Sequence, residues 1–218
     1  MRKRMNLTAQ KDNELQNIFG QKPYITSTEF KSTHYDVYLD EEIGEAENYR
    51  ELVATLFNAG ENDSVALYIN NPGGHLTTAL AIIEGIKNTA ATVRGVVVCE
   101  CHSAASLITM YCHEIVVLDS ANMMIHTANF GSVGSTGNVK AHTDFTVKQV
   151  ETLLDDAYAG FLHKDELVKV KAGVELWFDS TQIRERIGAR IKHLEAHQAA
   201  KEAEEAKAAK PKRARKTA

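Results

Sequence analysis

The sequence predicts an α/β layered fold in which strands and helices alternate along one chain of 218 residues. Three observations support this fold class. Short apolar runs with strand character recur, amphipathic stretches with helical spacing separate them, and turns rich in glycine follow the strands. Crossovers between such strands are expected to wind as a right-handed superhelix. A hydrophobic content of 44% is ordinary for one globular core of this size.

The first core elements are predicted in the segment that begins at residue 35. Residues 35–40 alternate apolar and polar side chains, which indicates a half-buried strand. Residues 47–59 carry one apolar face and form an amphipathic helix that ends at Gly60. Residues 65–69 form the next strand. The turn that follows, residues 70–74, contains two glycines, which adopt backbone conformations closed to other residues.

The later elements continue the alternation to the end of the core. We predict, in chain order, a helix at 76–88, a strand at 93–98, a helix at 103–111, strands at 115–118 and 123–125, a glycine-rich loop at 131–137 and a long helix at 139–163. Asn138 is the expected cap of that long helix.

The chain is expected to hold one folded domain between two tails. Residues 1–33 are polar with little periodicity and predict an N-terminal arm, residues 34–192 form the domain, and residues 193–218 form a charged C-terminal tail. The tail is predicted to be a frayed helix followed by disorder. Its last part is basic, with no acidic residue after Glu205, and a solvated tail is the favoured interpretation. Nucleic acid is therefore not an expected partner.

Composition also limits the compartment and the kinds of site. No apolar run approaches the roughly 20 residues of a membrane-spanning helix, and no apolar segment of a secretory signal follows the basic start. The three cysteines, Cys99, Cys101 and Cys112, lie among apolar or small residues, as reduced buried thiols do. We therefore expect a cytoplasmic protein with no membrane contact, no cofactor and no metal site.

Ser106 is the candidate nucleophile of the sequence. A serine hydroxyl needs a base that accepts its proton and N–H donors that stabilise the resulting oxyanion. Ser106 lies in His-Ser-Ala-Ala-Ser-Leu, residues 102–107, where small residues at a strand-to-helix turn allow a substrate carbonyl to approach. The N–H of Leu107 at the helix start and that of Gly74 are the expected oxyanion donors. A serine that merely caps the helix is the alternative.

Three separated segments share their order and spacing with a known family. They are Tyr-Ile-Asn-Asn-Pro-Gly-Gly at residues 68–74, Ala-Ala-Ser at 104–106 and Met-Ile-His at 124–126. They resemble the oxyanion turn, the nucleophile helix and the catalytic-histidine strand of the proteolytic subunit of the Clp protease. The resemblance covers residues 35–191. It implies a ClpP/crotonase-like layered β-α superhelix with a protruding long handle helix.

The resemblance also implies roles for individual residues. Ser106 would be the nucleophile, His126 the general base, and the amides of Gly74 and Leu107 the oxyanion donors. Two positions depart from the family pattern: His102 stands where a glycine is common, and Thr-Ala follows the histidine in place of Gln-Pro. The implied activity is that of a serine endopeptidase that works through an acyl-enzyme.

The third member of a catalytic triad is a carboxylate that orients the imidazole. Residues 175–180, Glu-Leu-Trp-Phe-Asp-Ser, resemble the segment that delivers the acid in the family. Glu175 is favoured by its separation from His126 along the chain. Asp179 remains an alternative, and so does a dyad without a carboxylate.

The expected partners follow from the same resemblance. Polypeptides would be the substrates, the chain would form a homo-oligomer of stacked rings around a chamber, and a Clp-type ATPase unfoldase would use ATP on another chain. The long helix from Val139 would be the handle that stacks the rings, with residues 131–137 beside the substrate. Two other function classes stay open: a non-catalytic ring subunit, and a crotonase-type acyl-coenzyme A enzyme. A virus-encoded peptidase is compatible with the sequence as well.

Overall fold

The computed structural model describes residues 31–208. The predicted N-terminal arm lies outside the described residues except for its last three, and so does the predicted tail from residue 209 onward. The boundaries between arm, domain and tail therefore stay predictions. Within the described part, the chain forms six strands and six α-helices. This mixed architecture confirms the predicted α/β fold class.

The strands and helices alternate as expected. The strands are β1 (His34–Leu39), β2 (Ser64–Asn71), β3 (Thr92–His102), β4 (Glu114–Val117), β5 (Asn122–Ile125) and β6 (Leu176–Asp179). The helices are α1 (Arg50–Asn58), α2 (Leu76–Asn88), α3 (Ala104–Tyr111), α4 (Thr136–Ala157), α5 (Lys164–Lys171) and α6 (Ser180–Ala208), with a 3₁₀ turn at Ala46–Tyr49 before α1.

The sheet is parallel except at one edge. β1, β2 and β3 are parallel neighbours, and the other edge of β3 is shared by two short strands. β4 pairs with residues 94–97 of β3, and β5 pairs with residues 100–102. β6 then runs antiparallel to β5. β3 is longer than the predicted strand because its last residues, 100–102, pair with β5 beyond the part that pairs with β4.

This topology brings several chain segments to one edge of the sheet. β2, β3 and β5 are mutually parallel, so their carboxyl ends point the same way. The carboxyl ends of neighbouring parallel strands form the usual crevice for ligands in α/β proteins. The glycine turn that follows β2, the residue Ser103 that follows β3 and the residue His126 that follows β5 are therefore brought together.

The core lies between the sheet and its helices. β2 buries Val65, Ala66, Leu67 and Ile69, which is typical of a parallel strand covered on both faces. α1 packs on α2, and α2 packs on α3, while α6 contacts β4, β5 and β6. Within residues 31–208, no helix has both the length and the apolar composition that a membrane crossing requires.

The long helix is displaced from its predicted position. α4 starts at Thr136, with Ser135 rather than Asn138 as its N-cap, and it ends at Ala157 rather than at residue 163. The chain turns after α4 because Gly160 adopts a φ of 74°, and a Cβ at this position would lie 2.6 Å from the Cβ of His193. His163 is the N-cap of α5 instead. No strand forms within residues 131–137.

The first two thirds of α4 protrude from the core of the protomer. Residues 136–149 include no buried residue, and the side chains of Phe145 and Val147 are 63% and 41% exposed. Only the last turns of α4 bury side chains, at Val150, Leu154 and Ala157. At the other end of the chain, α6 continues past the predicted domain boundary at residue 192 as far as Ala208. The helical part of the predicted tail is thus regular up to that residue.

Candidate active site

Ser103 forms the sharp turn between β3 and α3. Its φ of 53° and ψ of −122° make it the only non-glycine residue with positive φ in the described part of the chain. Such a conformation costs about 1–3 kcal/mol and persists only where the surroundings enforce it. The Ser103 N–H donates to the carbonyl of Met124 at 2.8 Å, and the Ser103 carbonyl accepts from the N–H of Ser106 at 3.0 Å. The turn is therefore held from both sides.

The strained turn presents the hydroxyl of Ser103 to an imidazole. Ser103 Oγ lies 2.6 Å from His126 Nε2. The register between β3 and β5, in which His102 pairs with Met124, places the two residues at the ends of neighbouring strands. A base within hydrogen-bond reach is the geometric requirement for activating a serine. His126 therefore lies within hydrogen-bond reach of Ser103.

Ser106 does not reach His126, so the predicted pairing of these two residues is wrong. Ser106 is the third residue of α3, and the helix turns its side chain into the core, where the residue is 0% exposed. Its Oγ donates to the carbonyl of Ser103 at 2.7 Å and lies 2.6 Å from the hydroxyl of Tyr158. The resemblance of residues 104–106 to the family's Ala-Ala-Ser motif pointed to Ser106 and not to Ser103. No local signal separates the two serines, because the point where β3 ends depends on its pairing with β5.

The glycine turn after β2 lies directly against Ser103. Gly73 adopts a φ of 100°, and a Cβ at this position would lie 2.7 Å from the Cβ of Ser103. Gly74 adopts a φ of 141°, and a Cβ there would lie 2.1 Å from the carbonyl oxygen of Ile43. Asn71 steadies the turn because its Oδ1 accepts from the Gly73 N–H at 2.8 Å. Only glycine fits these two positions.

Two backbone N–H groups at the site have no acceptor among the described residues. Ile43 bonds to the flanking atoms Gly73 O and His75 N, at 2.7 Å each, and leaves the N–H of Gly74 without a partner. Ala104, the first residue of α3, has an N–H that no intrahelical bond can use. Gly74 and Ala104 line the same cavity as Ser103 and His126.

One of the two predicted oxyanion donors already has an acceptor within the chain. Leu107 was expected to donate through its N–H, but this group bonds to the carbonyl of Ser103 at 3.3 Å inside α3. The reason is again the register of the helix, since Leu107 is the fourth residue after the turn. Leu107 and Gly74 both line the cavity, and the role of the Gly74 N–H as an oxyanion donor stays a prediction.

The cavity beside Ser103 and His126 has a volume of about 400 Å³. Its wall includes apolar side chains from α2, α3 and α4, namely Leu76, Leu107, Val150, Leu153 and Leu154. His75 also lines the cavity, and its Nδ1 lies 3.8 Å from a carboxylate oxygen of Glu45. The cavity can therefore accept an apolar group next to the Ser103 hydroxyl.

Of the two candidate acids, only Glu175 lies near His126 in the sheet. β5 and β6 pair Ile125 with Leu176, so continuation of this register places Glu175 opposite His126. Glu175 is exposed, and no hydrogen bond or ion pair joins it to His126 in the described structure. The carboxylate role of Glu175 stays a prediction.

Asp179 lies at the other end of the same strand pair. It pairs with Asn122, four residues from His126 along β5, which corresponds to about 13 Å. Its Oδ1 accepts from the N–H of Gln182 at 2.9 Å, and the side chain of Gln182 accepts from the N–H of Asp179 at 3.0 Å. This reciprocal pair caps the start of α6, which explains Asp179 without a catalytic role.

The side chain of His102 points away from the cavity. Its Nε2 lies 2.5 Å from Asn122 Oδ1, and its ring meets that of Trp177 edge to face at 5.1 Å between centroids. His102 is not among the residues that line the cavity. The side chain of His102 therefore leaves the pocket beside Ser103 open.

The thiol nearest the turn is not a competing nucleophile. Cys101 is fully buried, and burial raises the pKa of its thiol to about 12. Its Sγ lies 3.1 Å from Thr109 Oγ1. Because the thiolate is the reactive form, a thiol with this pKa stays inert near neutral pH.

The Clp protease family model matches residues 25–183 of the chain. The chain belongs to the Clp protease family. The match spans the glycine turn, the Ser103 turn, β5 with His126, and β6. It confirms the resemblance seen in the sequence and supports a peptidase-type function. Within this Clp protease domain, the serine that contacts the histidine is Ser103.

Proposed function

We propose that the chain is a serine endopeptidase in which Ser103 is the nucleophile and His126 the general base. The observation that carries the proposal is the 2.6 Å hydrogen bond between Ser103 Oγ and His126 Nε2 at a strained strand-to-helix turn. Family membership supports the peptidase class. The other serine–histidine pair in the described residues, Ser64 with His34, lacks such a turn.

The chemistry proceeds in two halves. Ser103 Oγ attacks the scissile carbonyl carbon while His126 Nε2 accepts the hydroxyl proton, and the N–H groups of Gly74 and Ala104 stabilise the oxyanion. His126 then gives the proton to the leaving amine, the C–N bond breaks, and an acyl-enzyme remains. Water attacks the ester as His126 accepts a proton from it. Release of the carboxylic acid returns the proton to Ser103.

Glu175 is the proposed acid that orients His126. Its support is the register of β5 and β6, which pairs Ile125 with Leu176 and, continued by one residue, would set Glu175 opposite His126. Neutral imidazole must keep its Nε2 lone pair toward Ser103, and a carboxylate near Nδ1 favours that tautomer. The exposed Glu175 side chain would have to turn toward Nδ1 for this contact.

The oligomeric form and the partners belong to the same proposal. We expect stacked rings that enclose a chamber, polypeptide substrates, a Clp-type ATPase as unfoldase, and a cytoplasmic location. The exposed apolar side chains on the protruding part of α4 support a contact with other copies of the chain. The three cysteines are free, in keeping with a reducing compartment.

A non-catalytic ring subunit is the second candidate. One observation favours it: no described carboxylate contacts His126. The Ser103–His126 bond speaks against it, and it also speaks against the crotonase-type alternative, which needs no such pair.

Labelling with a fluorophosphonate tests the proposal. The assembled protein should form a covalent adduct, and peptide mapping should locate it on Ser103. Ser103→Ala should abolish both the adduct and peptide hydrolysis, while the matched control Ser64→Ala should retain them. Absence of labelling in the assembled protein would favour the non-catalytic subunit. An adduct on Ser106 would restore the first assignment and overturn this one.

A further inference from the structure

Two buried hydroxyl groups lie behind the Ser103 turn, on the side away from the cavity. Ser106 is 0% exposed and Tyr158, which follows α4, is 1% exposed. The mechanism above uses neither of them. Their oxygens are 2.6 Å apart, and Ser106 Oγ is also 2.7 Å from the carbonyl oxygen of Ser103. Three oxygens from three parts of the chain thus form one hydrogen-bonded row.

The direction of the hydrogen bonds in this row is determined by chemistry. A carbonyl oxygen can only accept, so the single hydroxyl hydrogen of Ser106 goes to the Ser103 carbonyl. The hydroxyl of Tyr158 must then donate to Ser106 Oγ. Burial raises the pKa of the Tyr158 phenol, so this hydroxyl keeps its proton throughout the working pH range.

The row ends on the peptide group that also carries a proposed oxyanion donor. The peptide between Ser103 and Ala104 is planar and trans, so its carbonyl and its N–H point in opposite directions. Any group that holds the Ser103 carbonyl therefore sets the direction of the Ala104 N–H. The carbonyl accepts from Ser106 Oγ at 2.7 Å, from Ser106 N at 3.0 Å and from Leu107 N at 3.3 Å.

We propose that Ser106 and Tyr158 are positioning residues that aim the Ala104 N–H at the oxyanion through the carbonyl of Ser103. The inference rests on the proposed function, since it assumes that Ser103 is the nucleophile. In this proposal the hydroxyl of Ser106 affects the reaction through the Ser103 carbonyl and does not touch the reacting atoms. Tyr158 contributes from the end of α4, so the helix that walls the cavity also braces the nucleophile turn.

A matched set of variants tests the proposal in the full-length assembled protein. Ser106→Ala and Tyr158→Phe each remove one hydroxyl of the row. Thr109→Val removes a buried hydroxyl from the same helix, one that donates to the carbonyl of Ala105 at 2.9 Å and does not touch Ser103. The measurements are thermal stability, kcat and KM for a fluorogenic peptide, and affinity for a peptide boronate, whose tetrahedral adduct mimics the oxyanion.

Ser106→Ala should lower kcat and boronate affinity together by about two- to tenfold, the size of one net hydrogen bond, while KM stays nearly constant. Tyr158→Phe should lower both by a smaller factor. The double variant should match Ser106→Ala alone, because Tyr158 acts only through Ser106. Thr109→Val should lose stability and keep kcat.

The proposal is overturned if the Ser106 and Tyr158 variants lose only stability, as Thr109→Val does, or if their effects on kcat are additive. Should Ser106→Ala fail to fold, Tyr158→Phe removes a single oxygen and supplies the same comparison. Failure of the proposed function looks different. In that case the unmodified protein carries no adduct on Ser103.

Discussion

Two serine–histidine pairs occur in the described part of the chain, and they differ in almost everything except their hydrogen bond. Ser103 Oγ lies 2.6 Å from His126, and Ser64 Oγ lies 2.7 Å from Nδ1 of His34. The second pair even has an acid, because His34 Nε2 lies 3.2 Å from Asp36 Oδ1. By contacts between side chains alone, the Ser64 group is the more complete triad.

The surroundings of the two pairs, in contrast, favour Ser103 over Ser64 as a catalytic serine. The side chains of His34 and Asp36 are 55% and 47% exposed, and the cavity that Ser64 itself lines measures about 80 Å³. Ser64 lies in a regular strand, without a strained turn or a pair of unpartnered N–H groups beside it. Catalytic power in acyl transfer depends strongly on such oriented donors. A serine–histidine hydrogen bond alone is therefore weak support for catalysis.

The group around Ser64 instead anchors the start of β1 on β2. Asp63 Oδ1 accepts from the N–H of Thr33 at 2.6 Å, and its Oδ2 accepts from the N–H of Gly60 at 2.8 Å. The N–H of Ser64 donates to the carbonyl of Thr33 at 3.0 Å. These bonds hold a strand end, which is a structural task.

The largest expected difference between the two pairs is in the effect of removing each histidine. His126→Ala should lower peptide hydrolysis by about 10²–10⁴-fold, the usual contribution of a general base. His34→Ala should leave the rate unchanged. Steady-state kinetics on both variants checks this. Equal losses of hydrolysis rate in the two variants would show that the surroundings of Ser103 give it no catalytic advantage over Ser64.

The oxyanion donors should give the next largest effect. Gly74→Ala forces the backbone away from Ile43 and displaces the Gly74 N–H, so kcat should fall by about 10²–10³-fold. The control is Gly188→Ala in α6, where an added Cβ meets no atom within 4 Å. That variant should keep its activity. A Gly74→Ala enzyme with full kcat would exclude this amide as a donor.

The acid should have a modest effect. Glu175→Gln removes an exposed charge opposite His126, and exposed charges contribute about 1 kcal/mol or less, so the rate should fall about fivefold at most. Asp179→Asn should change neither rate nor stability, because asparagine caps a helix as well as aspartate does. Comparison of kcat in these two variants checks the assignment. A larger loss of kcat in Asp179→Asn than in Glu175→Gln would contradict the assignment of Glu175 from the sheet register.

The smallest expected effect concerns the stability of the Ser64 group in acid. Hydrogen bonds from the backbone N–H groups of Gly60 and Thr33 lower the pKa of Asp63. A lowered pKa in the folded state means that the stabilisation is fully present above the ordinary aspartate value of about 3.9 and is lost as the pH falls through the folded value. Asp63→Asn should therefore reduce the loss of folding stability as the pH falls.

Thermal unfolding between pH 7 and pH 3 measures that change. The unmodified protein should lose more stability over the acid range than the Asp63→Asn variant, and fluorophosphonate labelling at neutral pH should be equal in both. Identical pH profiles would show that Asp63 does not anchor β1. Unequal labelling would show that the group around Ser64 affects the reactivity of Ser103, which we do not expect.

Local patterns in the sequence determined the fold class, the order of the elements and the position of the histidine. α2 begins and ends at the predicted residues, and His126 follows a strand as expected, because periodicity and turn chemistry are properties of neighbouring residues. The glycine turn was also predicted, since two successive glycines after a buried strand have few other uses.

The tertiary structure decided which serine meets the histidine. Ser103 and Ser106 are three residues apart and share small neighbours, so local pattern does not separate them. β3 runs on to His102 because β5 pairs with its last residues, and this places the strained turn at Ser103 and buries Ser106. Pairing between distant strands sets where a strand ends. The long-range pairing of β3 with β5 therefore determines which serine is the candidate nucleophile.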